Sequence, residues 1–528
     1  MIASGDKVIT TLRDRWRIEQ EIQSLLHVQS QHEFSHRAQH VAESGAQVIP
    51  VILGYLSHAD ARTLSALGVV ASLYPHREQI LNKLYQAAAD LDRPDRGRVS
   101  AILILERFLG QEPDPYLIET LNDPQFMAIE SIREMLHAGE QDPRALIEYT
   151  RTLGEQADET TEEVIDTLLQ VGRERAVPVL CLLAQHEIDI LAENALSALG
   201  RSNYPAAARG LQSILPMLPA DRRPLAQRAL LKLQLKQIPI LSLPAADDTW
   251  RTLVGPIDGE GNQVVWFLRE PDEQGRCRFL GLTINAHAGI KQAYGHHDVP
   301  PDILPERHQR GYVHHVLLQG GPQAGGRAPQ GGASPGGPGP GAILHMTETG
   351  FEYGRWLVSE GQSRNWQTAH ALPAEYKLLG PWLWQYDDAP VDASRPTVPA
   401  PTDSQGLLAE TSRLLYHPAF KGWYAYGERV IQHAAVLLRR MPLATSAQSS
   451  ADVTRLTEDY FDETTVERLR ARLVGMSEWL WLGGETRMSE LAIAAADTLS
   501  TTPPQEHPLA RSMVELGLQV ILEQLRHM

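Results

Sequence analysis

The pentapeptide Leu-Ser-Ala-Leu-Gly occurs twice, at residues 64–68 and 196–200, and the offset of 132 equals four units of 33. A fixed period of that length marks a chain built from small supersecondary units, each needing its neighbours to bury an apolar face. Residues 177–215 show the unit as two short antiparallel helices and the start of a third. Ile188, Leu191, Ala195, Ala198 and Leu199 recur at helical spacing and would line one face. Gly200 is placed to cap the second helix in a left-handed conformation, and Pro205 stands near the start of the next. The same pattern predicts helix pairs at 45–56 with 61–73, 76–90 with 95–109, 114–121 with 126–137, 143–153 with 160–171, 176–184 with 188–199, and 206–215 with 221–235. Turn residues such as Pro94, Pro113, Pro115 and Pro143 fall at their junctions.

Over residues 45–235 this pattern resembles the short HEAT-like repeats also found in bilin-lyase-type proteins. The resemblance implies an α-solenoid over 45–240, with residues 1–44 as an N-terminal helical cap, and it carries no lyase motif. Deoxyhypusine hydroxylase is similar in repeat type and holds two irons with four His-Glu dyads. Here only His32-Glu33 and His186-Glu187 occur, too few ligands for such a centre, and both read as surface charge at helix junctions.

Beyond Leu235 the character changes, because Ile238-Pro-Ile-Leu-Ser-Leu-Pro244 cannot continue a helix and every tryptophan except Trp16 lies at or after Trp250. Residues 263–268 and 278–284 read as strands joined over Asp272-Glu-Gln-Gly275, and 311–319 with 342–347 as another strand pair. The Gly/Pro-rich insertion 320–341 cannot fill a core and is expected to be disordered. With candidate helices at 351–366 and 373–386, residues 248–386 form an expected small central α+β domain. A Pro/Asp/Ser/Thr-rich linker over 387–404 leads to a C-terminal helical domain, 405–528, with helices at 405–416, 423–440, 462–482, 485–500 and 507–526 and a loop at 441–450. The fold class is therefore mainly α: an N-terminal α-solenoid of HEAT-like helical hairpins, a small central α+β domain and a C-terminal helical domain.

The densest candidate for chemistry is the histidine-rich stretch His296-His297-Asp298, His308 and His314-His315. Imidazole and carboxylate together ligate zinc, iron or nickel, so His296, His297, Asp298 and His314 are the candidate metal ligands. Two features weigh against them. His314 and His315 are adjacent on a predicted strand and face opposite ways, while His296, His297 and Asp298 read as a solvated loop. No metal and no cofactor is expected. The sequence holds no nucleophile elbow, Walker loop or His-Glu-x-x-His motif, and Cys181 and Cys277 fall in different predicted domains, which suggests no disulfide. The pairs Trp382/Trp384 and Trp479/Trp481 diverge by about 200° on a helix, so one of each is expected inside.

A formal net charge of −17 makes nucleic acid an unexpected partner. The absence of an apolar signal core or long apolar run gives the expectation of a cytoplasmic protein with no membrane segment. The leading expectation is a non-catalytic interaction or scaffold protein whose solenoid groove grips a protein or peptide, with a basic segment favoured by the acidic balance. The alternative is an enzyme or cofactor-modifying protein, lyase-like, with its site in the central domain.

Overall fold

The computed structural model describes the chain except for residues 1–2, 27, 29–30, 60, 113, 122–124, 156–160, 247, 273–274, 318–342, 388–394, 441–445 and 528. The Gly/Pro-rich insertion at 320–341, part of the 387–404 segment and the first half of the 441–450 loop lie outside the described residues. The protein is mainly helical, with one six-stranded antiparallel sheet in its middle. It divides into two compact units, residues 1–207 and 208–528.

In the first unit the helices stand where the apolar periodicity placed them: Val48–Tyr55 with Ala61–Leu73, Arg77–Ala89 with Asp95–Arg107, Pro115–Glu119 with Gln125–Gln141, Ala145–Glu155 with Thr161–Gly172, and Val177–Leu183 with Asp189–Arg201. Two helices, Ala3–Leu25 and Gln31–Ala42, precede them. Many helices pack on the one two places along as well as on a neighbour. Ala61–Leu73 touches Gln31–Ala42 and Asp95–Arg107, Gln125–Gln141 touches Thr161–Gly172, and Thr161–Gly172 touches Asp189–Arg201. The two copies of Leu-Ser-Ala-Leu-Gly bury the same positions, with Leu64, Ala66 and Leu67 matching Leu196, Ala198 and Leu199. Gly200 does not act as a left-handed cap; it lies within Asp189–Arg201, which ends at Ser202. The glycine of the other copy has a packing reason, since a Cβ at Gly68 would enter the ring of Phe108. Ile188 sits at the N-cap and is 36% exposed, outside the buried face.

Arginines tie the turns together. Arg98, 1% exposed, donates from Nε to the Ala88 carbonyl (2.9 Å), from Nη1 to the Thr120 carbonyl (2.7 Å) and from Nη2 to Thr120 Oγ1 (2.7 Å). Arg93 reaches the Leu53 carbonyl at 2.9 Å, Arg96 the Ala59 carbonyl at 2.8 Å and Arg77 the Leu109 carbonyl at 2.6 Å. Each satisfies a carbonyl at or beyond the end of another helix, where the intrahelical ladder offers no donor.

The boundary falls within the helix Pro205–Ile214, which with Arg223–Leu235 answers the last expected helix pair. The second unit then builds the sheet from β1 (Trp250–Val254), β2 (Asn262–Arg269), β3 (Cys277–Asn285), β4 (Gly289–Val299), β5 (Val313–Leu317) and β6 (Ile343–Thr349), in spatial order β4-β3-β2-β1-β6-β5. β1 was not legible as a strand because it is buried on both faces and so shows no alternation. One face carries Trp250, Val254, Phe267, Leu280 and Leu282 against the helix Phe351–Gln367. That core runs without a break into Trp423, which stands in the irregular segment before the helix Glu428–Arg440 (a helix expected from 423), and into Leu473, Met476, Trp479 and Val514 of the C-terminal helices, so the sheet and residues 405–528 share one interior. The β1–β2 turn is gripped there: Trp479 Nε1 donates to the Val254 carbonyl at 2.8 Å, and Trp423 Nε1 to the Ile257 carbonyl at 2.9 Å. The opposite face is a smaller cluster of Leu253, Trp266, Leu268 and Met346 with Leu304 against it. Each tryptophan pair splits as expected: Trp384 and Trp479 are buried, while Trp382 and Trp481 are half-buried. Two expectations fail locally. Residues 446–450, expected as part of the 441–450 loop, begin the helix Ser446–Tyr460, and 405–416 is largely a 3-10 turn run, Leu408–Tyr416.

Candidate functional site

The small face of the sheet holds a buried charged cluster. Arg251 on β1 and Glu348 on β6 point to the same side as Leu253 and Met346, and Leu253 pairs directly with Glu348, which sets Arg251 and Glu348 diagonally across the strands. His314 on β5 pairs with Met346 and so meets Glu348 on the next diagonal. Arg251 Nε donates to Glu348 Oε1 at 3.0 Å and Nη2 to Oε2 at 3.2 Å, while Nη1 and Nη2 donate to the carbonyls of Pro305 and Glu306, both at 2.8 Å. Glu348 Oε2 also accepts from the His308 amide at 3.0 Å and lies 2.9 Å from His314 Nε2. The three side chains of Arg251, Glu348 and His314 are all less than 9% exposed. Above them His308 stacks on Tyr312 with centroids 3.8 Å apart, and both rings approach His314, at 5.2 and 4.8 Å.

Burial pushes the Glu348 carboxyl up, but hydrogen bonds from Arg251, His314 and the His308 amide outweigh it and hold it below the usual carboxylate range. Burial pushes His314 down, opposed by its hydrogen bond to Glu348. An ionised Glu348 beside a neutral His314 makes Nε2 the protonated nitrogen and leaves Nδ1 with a lone pair. The arrangement can therefore hold a proton acceptor in a fixed orientation. Among the described residues Glu348 is its one hydrogen-bonding partner, and no hydroxyl or thiol is hydrogen-bonded to it.

The other sequence candidates lie elsewhere. His296, His297 and Asp298 are not a loop but the end of β4, an edge strand with a register shift between Cys277 and Phe279 of its partner; an exposed edge tolerates polar residues that periodicity reads as loop. His296 and His297 stack at 5.1 Å, and His296 Nδ1 accepts from the Asp298 amide at 3.1 Å. β4 and β5 are opposite edges of the sheet, five strand spacings or about 24 Å apart, so this trio and His314 share no site. His314 is buried and His315 exposed, as adjacent strand residues should be, and His315 meets His345 across the ladder at 4.8 Å. Among the described residues no group of three or more His, Cys, Asp or Glu side chains is placed to hold a metal ion. In the first unit His186 Nδ1 accepts from the Ile188 amide at 3.1 Å, and Glu33 pairs with Arg37 at 2.5 Å.

Sequence reasoning missed Arg251 and Glu348, which stand 97 residues apart. The available signal was a charge inside each of two apolar strands, Trp-Arg-Thr-Leu-Val and Met-Thr-Glu-Thr, since an inward charge must find its opposite. The first unit offers a contrast: a cleft lined by Ala59, Leu64, Val99, Leu103 and Glu134 encloses only ≈ 10 Å³, room for about one water. Among the described residues no helix is long and apolar enough to cross a membrane. Comparison with known proteins returned no match to any family model, curated protein or solved structure.

Proposed function

We propose that the protein is a non-catalytic interaction or scaffold protein whose N-terminal helices form a HEAT-like α-solenoid that grips a basic segment of a protein partner. The observation that carries the reading is where the charge lies. Residues 1–207 hold 31 Asp and Glu against 18 Lys and Arg, a net −13 of the whole chain's −17. Residues 106–193 alone hold 20 acidic residues, six arginines and no lysine. Several of the unit's arginines are already engaged, Arg77, Arg93, Arg96 and Arg98 with carbonyls and Arg107, Arg133, Arg151, Arg175 and Arg201 with carboxylates. The surplus is negative, and a field of one sign speeds and orients the approach of a partner of the other. Second-neighbour helix packing supports the solenoid part of the reading, because stacked hairpins present an extended surface for many modest contacts.

The test is a pull-down with full-length protein, paired with titration of a labelled oligo-lysine peptide. Wild type should bind the peptide with an affinity that falls steeply with salt. Replacing the exposed Glu106, Glu119 and Glu162 by Lys together should weaken binding at least about tenfold. Unchanged binding would remove the basic-partner reading.

A second reading, an enzyme or cofactor-modifying protein with its site in the sheet region, rests on the Arg251–Glu348–His314 cluster, since perturbed titratable groups gather at sites of chemistry as well as in structural ion pairs. An activity lost in His314→Gln with the melting temperature kept would favour it.

A further inference from the structure

Glu478 lies near the C-terminal end of the helix Glu463–Leu482, 3% exposed and facing the interior. A carboxylate there needs a counter-charge, and the chain supplies it unusually. Arg395 approaches Glu478 Oε1 with Nε at 2.7 Å and Nη2 at 2.5 Å. Its guanidinium carbon lies 5.1 Å from the ring centre of Trp356, which is stacked on Tyr353 with centroids 5.7 Å apart. The Tyr353 hydroxyl donates to the other Glu478 oxygen at 3.4 Å. Carboxylate edge, aromatic face and hydroxyl together form a receptor for a planar cation.

The occupant differs from the chain's buried arginines. Arg251 is 8% exposed on a central strand and Arg98 is 1% exposed within a helix. Arg395 is 48% exposed in its side chain and sits on Arg395-Pro-Thr-Val-Pro-Ala-Pro401, which has no regular structure. Among the described residues no backbone hydrogen bond fastens residues 395–403 to another element. The receptor is thus built from two packed helices, while its occupant hangs on an extended strap that is largely in water.

We propose that Glu478, Trp356 and Tyr353 form a guanidinium-binding site, filled in this state by the chain's own Arg395 and able to take an arginine side chain of a partner when the strap lifts. The strap then acts as an internal competitor. It holds its arginine at an effective concentration of about a millimolar or more, so a free ligand binds the intact protein weakly. The inference does not depend on the acidic N-terminal unit.

The experiment uses full-length protein and N-acetyl-L-argininamide, with N-acetyl-L-lysinamide as control, read by melting temperature and tryptophan fluorescence. Arg395→Ala should melt lower than wild type. Millimolar argininamide should raise the melting temperature of the variant saturably by about 2 °C, with an apparent Kd at least about tenfold below that for wild type. Lysinamide should do much less, because a compact ammonium lacks the planar fork. The effect should vanish in R395A/E478Q. If Arg395→Ala does not fold, Arg395→Lys keeps the charge and carries the same test, with displacement by argininamide at lower concentration than in wild type. Equal responses to both amides, or equal responses with and without E478Q, would overturn the site.

Discussion

The two units reach stability by opposite routes. In residues 1–207 each helix leans on partners close in sequence, and the ties between turns span 10 to 40 residues. In residues 208–528 the decisive contacts join the end of β1 and the turn after it to Trp423 and Trp479, spans of 166 and 225 residues. Local construction shows in the sequence as a period; non-local construction leaves only the composition of its parts. The first is expected to fail piecewise and the second as a whole.

The largest test of that contrast is Trp423→Ala, which removes a 1% exposed indole and its hydrogen bond to the Ile257 carbonyl. The expected loss is about 4 kcal/mol. Hydrogen exchange should rise together in β1, β2 and the helix Glu463–Leu482, with residues 1–207 unchanged; a rise confined to residues 418–430 would break the comparison. Next comes Arg98→Met, which orphans the Ala88 and Thr120 carbonyls at a cost of about 3 kcal/mol. Here exchange should accelerate mainly over residues 77–120.

A pH test follows. His507 is buried, with Nε2 2.9 Å from Thr498 Oγ1, and burial pushes it down to about 4. The unfolded chain binds the proton near pH 6.5, so between about 4 and 6.5 the unfolded state holds more protons and stability rises with pH. Stability is complete above pH 6.5 and is lost as pH falls, by about 2 kcal/mol at pH 5. Denaturant melts of wild type and His507→Gln across pH 5–7.5 should show this slope only in wild type. The smallest effect is Gly68→Ala, where the added methyl must displace the half-buried ring of Phe108, at about 1–2 kcal/mol. A chemical melt that shows no loss would mean the repeat glycine is free of packing duty.

The same contrast governs what could be read beforehand. The helix pairs were legible because one face of each repeats at 3.6 residues. Gly200 misled because a glycine after an apolar run signals a cap, and only tertiary context shows that the helix continues. β4 hid behind Gly-His-His-Asp, polar residues that an edge strand accepts, and Ser446–Tyr460 hid behind a polar composition. Of the candidate cluster, His314 and His308 were visible as histidines. Their meaning was not, because Arg251 and Glu348 come to them through sheet pairing, and pairing order is not written in any local pattern. The continuous core linking the sheet to the C-terminal helices was hidden for the same reason.

The grip on the β1–β2 turn sets a timetable for synthesis. Trp479 caps the Val254 carbonyl from 225 residues downstream. At about 5–20 residues per second a ribosome needs roughly 10–45 s to make that stretch. Through that interval the first unit has all its own sequence and can settle, while the newborn sheet shows Val254, Ile257 and Phe267 to the cytosol or any other medium it emerges into, without the helices that will cover them. The later half of this chain is thus the part whose yield should depend on translation speed between residues 255 and 479 more than on anything before.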